Sequence, residues 1–160
     1  MSETSAPGTS EDTRSGVLVL PRRLHDGIIA HAREEFPNEA CGVLAGLGGE
    51  ALAIYPMRNA EASPVVYRFD EREQLRVFNE IEGKGWEILA FFHSHTHTEA
   101  YPSPTDRAQA HWTDPVSLEE VPAYPEIRYL ILSLKDWDRP VLRGFRFEAG
   151  EPVEEEVRIA

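Results

Sequence analysis

Three histidines and an aspartate lie within fourteen residues, and their spacing is typical of a catalytic metal site. His93, Ser94 and His95 follow the apolar run 88–92, which predicts a buried strand that ends at the histidines. Side chains alternate across a strand, so His93 and His95 share one face while Ser94 points to the other. Two converging imidazoles supply half of the ligands of a zinc ion, and a catalytic zinc keeps one of four positions for water.

The third protein ligand has two candidates, His97 and Asp106. If the strand continued through His97, three imidazoles would share one face. Residues 96–102 are typical of a loop, however, and Asp106 lies at a predicted helix start, from which a carboxylate can reach a strand end. Spacing alone leaves both ligands open. It also leaves open that Ser103 and Asp106 only cap the helix.

A hydrolytic metal site also needs a base that accepts the proton of the attacking water. Four acidic residues are candidates, namely Glu34, Glu35, Glu39 and Glu99. Glu39 precedes the apolar strand that begins near Cys41, so this strand can hold it rigidly, although each of the four also fits a solvated surface position. Cys41 itself has no neighbouring base and is predicted to be a buried thiol rather than a nucleophile.

The elements that must position these residues predict an α/β domain with a mixed, mostly antiparallel sheet, two main helices and one short helix. Apolar runs bounded by turn residues predict strands at 17–20, 41–45, 51–57, 65–69, 86–95, 128–134, 141–147 and 153–159. Periodic patterns and capping residues predict helices at 21–36, with Leu24, Ile28 and Ala32 inward, at 70–83, with Leu75, Phe78 and Ile81 inward, and from Ser103 onward.

The predicted domain covers residues 16–160. Residues 1–15 contain almost nothing apolar and are predicted to be a disordered tail. Segment 112–127 contains three prolines and little periodicity, and is predicted to be a long insertion loop.

Composition excludes several classes of partner. The formal net charge of −12 disfavours nucleic acid and anionic membranes, which need a basic surface. No apolar run approaches the ~20 residues of a transmembrane helix, and no secretory signal is visible. The single cysteine excludes an intramolecular disulfide and favours a reducing compartment. We therefore expect a cytoplasmic protein, and leave open whether it forms a homodimer.

Two motifs together resemble those of a known enzyme family. His93-Ser-His95, seven further residues and then Ser103-Pro-Thr-Asp106 resemble the JAMM signature of the MPN+ metalloproteases. Segment 37–44, Pro-Asn-Glu-Ala-Cys-Gly-Val-Leu, resembles the glutamate-bearing motif of the same family. The resemblance extends from about Val17 to the end of the sequence and implies the JAMM/MPN-type fold, which is cytidine-deaminase-like.

The resemblance also implies a role for each residue that matches the motifs. His93, His95 and Asp106 would hold Zn²⁺, Glu39 would be the base, and Ser103 would donate a hydrogen bond to the tetrahedral intermediate. The implied enzyme is a metallopeptidase that hydrolyses peptide or isopeptide bonds.

Further segments resemble the actinobacterial members that remove a cysteine from the C-terminus of a ubiquitin-like sulfur carrier. They are His25-x5-His31-Ala-Arg, Glu73-Gln-Leu-Arg and His95-Thr-x-Thr-Glu-Ala-Tyr-Pro-Ser. The implied partner is such a carrier with an extended C-terminal tail, and we expect strand addition between 65–69 and 96–102 to hold it. The alternatives are a deconjugase for another ubiquitin-like modifier and a non-catalytic MPN scaffold; the complete set of motif residues disfavours the scaffold.

Overall fold

Ten strands and three helices form in residues 16–160, which are the part of the chain that this computed structural model describes. The predicted tail 1–15 lies outside the described residues. The strands are β1 (Leu18–Leu20), β2 (Cys41–Leu47), β3 (Glu50–Met57), β4 (Glu87–His95), β5 (His111–Thr113), β6 (Glu120–Pro122), β7 (Arg128–Ser133), β8 (Val141–Glu148), β9 (Glu151–Glu155) and β10 (Val157–Ile159). The helices are α1 (Arg22–Glu35), α2 (Glu71–Gly83) and α3 (Pro104–Gln109). No described helix is long and apolar enough to cross a membrane.

Eight strands form one mixed sheet in the order β10-β1-β3-β2-β4-β7-β8-β9. Four neighbouring pairs are antiparallel and three are parallel, which confirms the predicted mixed and mostly antiparallel sheet. Strands β9 and β10 stand at opposite ends of this order although Glu156 alone separates them in the chain. The sheet therefore curls, because the single segment 151–159 forms both of its end strands. Leu18 N donates to Glu156 O at 3.3 Å, at the point where β9 passes into β10.

Helices α1 and α2 cover opposite faces of the sheet. The predicted stripe of α1 is buried, and it packs on the face that includes Leu44, Phe92 and Leu130. Val77 and Ile81 of α2 are buried against the other face, with Phe78 partly buried beside them. The inward position predicted for Leu75 is wrong, because the side chain is 64% exposed. At about 100° per residue, Leu75 lies far from the stripe that Val77 and Ile81 form.

The predicted strand at 65–69 is also wrong, since one isolated bridge between Asn59 and Phe69 replaces it. The buried side chain of Asn59 explains the difference. Its amide donates to the carbonyl of Val66 at 3.0 Å, and its oxygen accepts from Arg68 N at 3.2 Å. These backbone groups are thus bonded to a side chain rather than to a neighbouring strand.

Segment 112–127 contains more regular structure than the sequence predicts. Strands β5 and β6 pair as a small separate antiparallel ribbon, in which Trp112 lies opposite Val121. Ala123 N donates to Ala110 O at 2.8 Å and brings the end of this ribbon back to the end of α3. The ribbon therefore lies beside the helix that carries Asp106.

Candidate active site

The two histidines of the motif lie at the end of a central strand. His93 pairs with Cys41 of β2 on one side and with Ile131 of β7 on the other. Both imidazoles are buried, with 2% and 3% of the residue exposed for His93 and His95. Because β4 is hydrogen-bonded on both sides, the two rings are held on one face with little freedom to move.

Asp106 completes a cluster with the two histidines. Its Oδ2 lies 3.1 Å from His93 Nε2 and 2.9 Å from His95 Nε2. The same oxygen accepts from Ser103 N at 2.9 Å, while Ser103 Oγ accepts from Asp106 N at 3.0 Å. The cap and the cluster are therefore made by one side chain, and the two interpretations of Asp106 do not exclude each other. One donor atom from each of the three residues lies within 4.8 Å of the others.

The protonation of His95 shows that this cluster suits a cation. Its Nδ1 lies 2.7 Å from the carbonyl oxygen of Glu99, which only accepts, so Nδ1 carries the proton and donates. The neutral ring then directs the lone pair of Nε2 at Asp106 Oδ2, and two acceptors face each other unless a proton or a metal ion lies between them. A second hydrogen bond of this kind orients most metal-binding histidines.

Electrostatics in the cluster follow from burial and from these hydrogen bonds. Burial acts to raise the pKa of Asp106, but hydrogen bonds from His93 and His95 outweigh it and hold that pKa well below its usual range. Burial acts to lower the pKa of His95, but the bonds to Asp106 and to the Glu99 carbonyl raise it overall. Asp106 is thus ionised, as a metal ligand must be.

Glu39 lies across from the histidines on the same face of the sheet. Cys41 pairs with His93, and Ser94 N donates to Ala40 O at 3.0 Å, so the register continues and sets Glu39 opposite His95. The residue is only 4% exposed, and its Oε1 has no hydrogen-bond partner among the described residues. Burial raises the pKa of this carboxyl to about 8; the charge of His95 acts to lower this pKa, and that of Asp106 acts to raise it.

The other candidates do not join this group. Glu34 and Glu99 are exposed, and Glu35 is half-buried on α1 beside Glu34. His97 is also exposed; its Nδ1 lies 3.0 Å from Thr96 Oγ1, so it is not part of the cluster.

Cys41 is buried as predicted. Burial raises the pKa of its thiol to about 12, so the thiol stays protonated.

Two residues near the site were not identified from the sequence. The ring of Tyr67 stacks on that of His93, with 4.6 Å between centroids and 22° between planes. The amide of Asn59 donates to the carbonyl of Glu39 at 3.1 Å, so the residue that organises the 59–68 loop also holds the backbone of Glu39. No local pattern indicated either contact, because each joins segments that are distant in the sequence.

Comparison with known proteins connects this geometry with a family. Residues 21–141 match the family described as prokaryotic homologs of the JAB domain. The chain belongs to this family. The JAB-domain protein is 40% identical over 145 residues to the CysO-cysteine peptidase of Mycobacterium tuberculosis, a match that covers 89% of this chain and 91% of that one. It is 38% identical over 105 residues to the desampylase of Haloferax volcanii, which covers 61% of this chain and 76% of that one.

A solved structure agrees with the fold along nearly the whole length. The JAB-domain protein superposes on the solution structure of protein DSY2949 from Desulfitobacterium hafniense with a TM-score of 0.73 and 34% identity. That match covers 89% of this chain and 92% of the other. The predicted fold and family are confirmed, and the JAB-domain protein is a hydrolase of peptide or isopeptide bonds.

Proposed function

We propose that this protein is a zinc-dependent peptidase that cleaves the C-terminal tail of a ubiquitin-like sulfur carrier and releases cysteine. The observation that carries the proposal is the cluster of His93, His95 and Asp106, with the buried Glu39 on the same face of the sheet and its Oε1 without a hydrogen-bond partner among the described residues. Similarity to the CysO-cysteine peptidase along 89% of the chain supports the choice of substrate.

The donor set fits zinc. Two imidazoles and one carboxylate leave the fourth tetrahedral position to water, as in catalytic zinc sites. The distances of 2.9 and 3.1 Å from Asp106 Oδ2 to the two Nε2 atoms are near the separation of about 3.3 Å that metal–ligand bonds of ~2.0–2.1 Å imply. When bound, the ion polarises the scissile carbonyl and lowers the pKa of water to about 7.

Two residues around this cluster have separate roles: one transfers a proton, and the other donates a hydrogen bond. Glu39 accepts a proton from the attacking water at its carboxylate and then delivers it to the leaving amine. A nearby divalent cation favours the ionised carboxylate, which offsets the effect of burial on its pKa. Ser103 Oγ already accepts from Asp106 N, so its O–H remains free to donate to the oxyanion of the tetrahedral intermediate. The loss of one such donor typically slows a reaction by about 10²–10³-fold.

The extended tail of the carrier would lie between two loops rather than along a strand. Residues 65–69 do not form the strand that was expected to hold it, but Tyr67 in this segment contacts His93. Thr96 Oγ1 donates to Pro64 O at 3.2 Å and joins this loop to the loop 96–102.

A second candidate function is cleavage of an isopeptide bond between a ubiquitin-like modifier and a lysine. The similarity to the Haloferax volcanii desampylase favours it, over the 61% of this chain that the match covers. The two candidates share the metal and the base and differ in the leaving group.

Mass spectrometry of a carrier that ends in Gly-Gly-Cys tests the proposal directly. We expect the zinc-loaded protein to remove the terminal cysteine, and a chelator or the Glu39→Ala substitution to abolish this loss. Glu34→Ala is the matched control, because Glu34 is an exposed glutamate outside the site. If zinc is bound but the carrier stays intact while an isopeptide-linked conjugate is cleaved, the second candidate replaces the first.

A further inference from the structure

A cavity of 380 Å³ opens beside Asp106, and five of the eleven residues that line it are aromatic. The rings come from three parts of the chain: Tyr67 and Phe69 from the loop before α2, Phe91 and Tyr129 from the sheet, and Tyr124 from the segment after β6. Since Asp106 belongs to the cluster that would hold a metal, this space adjoins the candidate active site. A larger cavity of 660 Å³ contains neither Glu39 nor any residue of the metal cluster.

The aromatic walls are fixed by their contacts with one another. Phe91 is at the centre, in edge-to-face contact with Phe69 at 5.5 Å, with Tyr124 at 5.1 Å and with Tyr129 at 5.9 Å between centroids. Burial raises the pKa of the Tyr129 phenol, so this ring remains uncharged. The five rings therefore give the cavity an apolar wall, which disfavours a charged side chain that has no partner, while its polar lining consists of Asp106, Arg68, Glu71, Gln74 and Gln109.

Arg68 is the one cation among the residues that line this cavity. Its side chain is 53% exposed, and its Nε donates to Glu61 Oε2 at 2.8 Å. This ion pair uses only Nε, and neither Nη atom has a hydrogen bond to another described residue, so their N–H groups are available to a ligand. A guanidinium presents such groups in a rigid fork that matches a carboxylate.

We propose that this cavity is the subsite for a leaving residue that bears a free α-carboxylate, which Arg68 binds while the aromatic walls enclose an uncharged side chain. This assignment rests on the proposed function and specifies its substrate. A thiol-bearing side chain suits the walls, because sulfur makes favourable contacts with aromatic rings. An isopeptide-linked lysine offers no carboxylate next to the scissile nitrogen, so Arg68 discriminates a single terminal residue from a conjugated protein.

Two versions of the substrate test this assignment, namely a carrier that ends in Gly-Gly-Cys with a free carboxylate and the same carrier with a C-terminal amide. We expect the zinc-loaded protein to cleave the acid with a kcat/KM about 10- to 100-fold higher than the amide, as a charge-assisted hydrogen bond implies. Arg68→Ala lowers kcat/KM for the acid to about that for the amide and leaves the amide unchanged. Arg68→Lys restores part of the preference.

The matched control is Arg76→Ala, because Arg76 is an exposed arginine of α2 that pairs with Glu73 at 3.7 Å and does not line the cavity. This control retains the full preference for the acid. Equal cleavage of acid and amide by the unaltered protein overturns the assignment but keeps the proposed function, as does an Arg68→Ala variant that loses activity on both equally. Failure to cleave either carrier with zinc bound overturns the proposed function and this assignment together.

Discussion

Ser94 Oγ accepts a hydrogen bond from the backbone N–H of Ala40 at 2.8 Å. The bond joins the middle residue of the His-Ser-His motif to the residue that follows Glu39. Ser94 is buried on the opposite face of β4 from the two imidazoles, so it is not part of the metal cluster. Its hydroxyl instead holds the strand of the histidines and the segment of Glu39 at a constant separation.

Ser94→Ala should therefore lower both stability and activity. The substitution leaves the buried N–H of Ala40 without an acceptor, which costs about 1–3 kcal/mol of the free energy of unfolding. Urea unfolding measures this loss, and the rate of cysteine release measures the displacement of Glu39. Ser94→Thr keeps the hydroxyl and is the control. An alanine variant as stable and as active as the unaltered protein would show that the bond does not matter.

Asp106→Asn should separate the helix cap from metal binding. The amide oxygen of asparagine can still accept from Ser103 N, so α3 keeps its cap and the metal-free variant still unfolds cooperatively. A neutral amide is a far weaker zinc ligand, however. We expect zinc to raise the melting temperature of the unaltered protein but not that of the variant, because only a bound ligand stabilises the folded state. An equal rise of the melting temperature in both proteins would show that Asp106 is not a zinc ligand.

Glu39 should make the stability of the metal-free protein depend on pH. The carboxyl of the unfolded chain releases its proton near pH 4.5, whereas the folded protein keeps it until the pKa of about 8. The unfolded state thus binds fewer protons in this window, and the free energy of unfolding falls as pH rises from about 4.5 to 8. The fall amounts to several kcal/mol at about 1.4 kcal/mol per pKa unit.

Glu39→Gln provides the comparison, because glutamine cannot ionise. Denaturant unfolding of both metal-free proteins at pH 5 and at pH 8.5 should give curves that converge at the lower pH, with the variant more stable at the higher. Parallel pH profiles for the two proteins would show that Glu39 is ionised in the metal-free fold.

The same substitution should nearly abolish turnover in the zinc-loaded protein. Glutamine cannot accept the proton of the attacking water, and general acid–base catalysis typically contributes about 10²–10⁴-fold. We expect kcat to fall by this factor while zinc content and KM change little. Steady-state kinetics with zinc analysis of the same sample checks this expectation, with Glu34→Gln as the control. If the variant kept its kcat, another group would be the base.

Local patterns were sufficient where the apolar residues of a segment alone indicate its structure. Leu24, Ile28 and Ala32 recur every four residues, and helix α1 buries all three. The continuous apolar run before His93 gives a strand that is buried between two others.

Local patterns were insufficient where a long-range contact decides the outcome. His97 and Asp106 are equivalent by spacing, and the position of α3 over the end of β4 is what brings Asp106 to the histidines. Residues 65–69 have a strand-like composition, but the side chain of Asn59 binds their backbone. The role of Asn59 depends on tertiary packing, so it is not visible in a window of neighbouring residues.

The shared segment of β9 and β10 has a consequence for the order in which the protein is made. Leu18 of β1 pairs with Val157 of β10, and all of the proposed catalytic and metal-binding residues lie between these two strands in the chain. During translation, the residues of the site therefore leave the ribosome before the sheet can close. In that interval the unpaired edges of β1 and β8 are open to strands of other chains, so the nascent protein is most prone to aggregation just before β9 and β10 emerge and close the sheet.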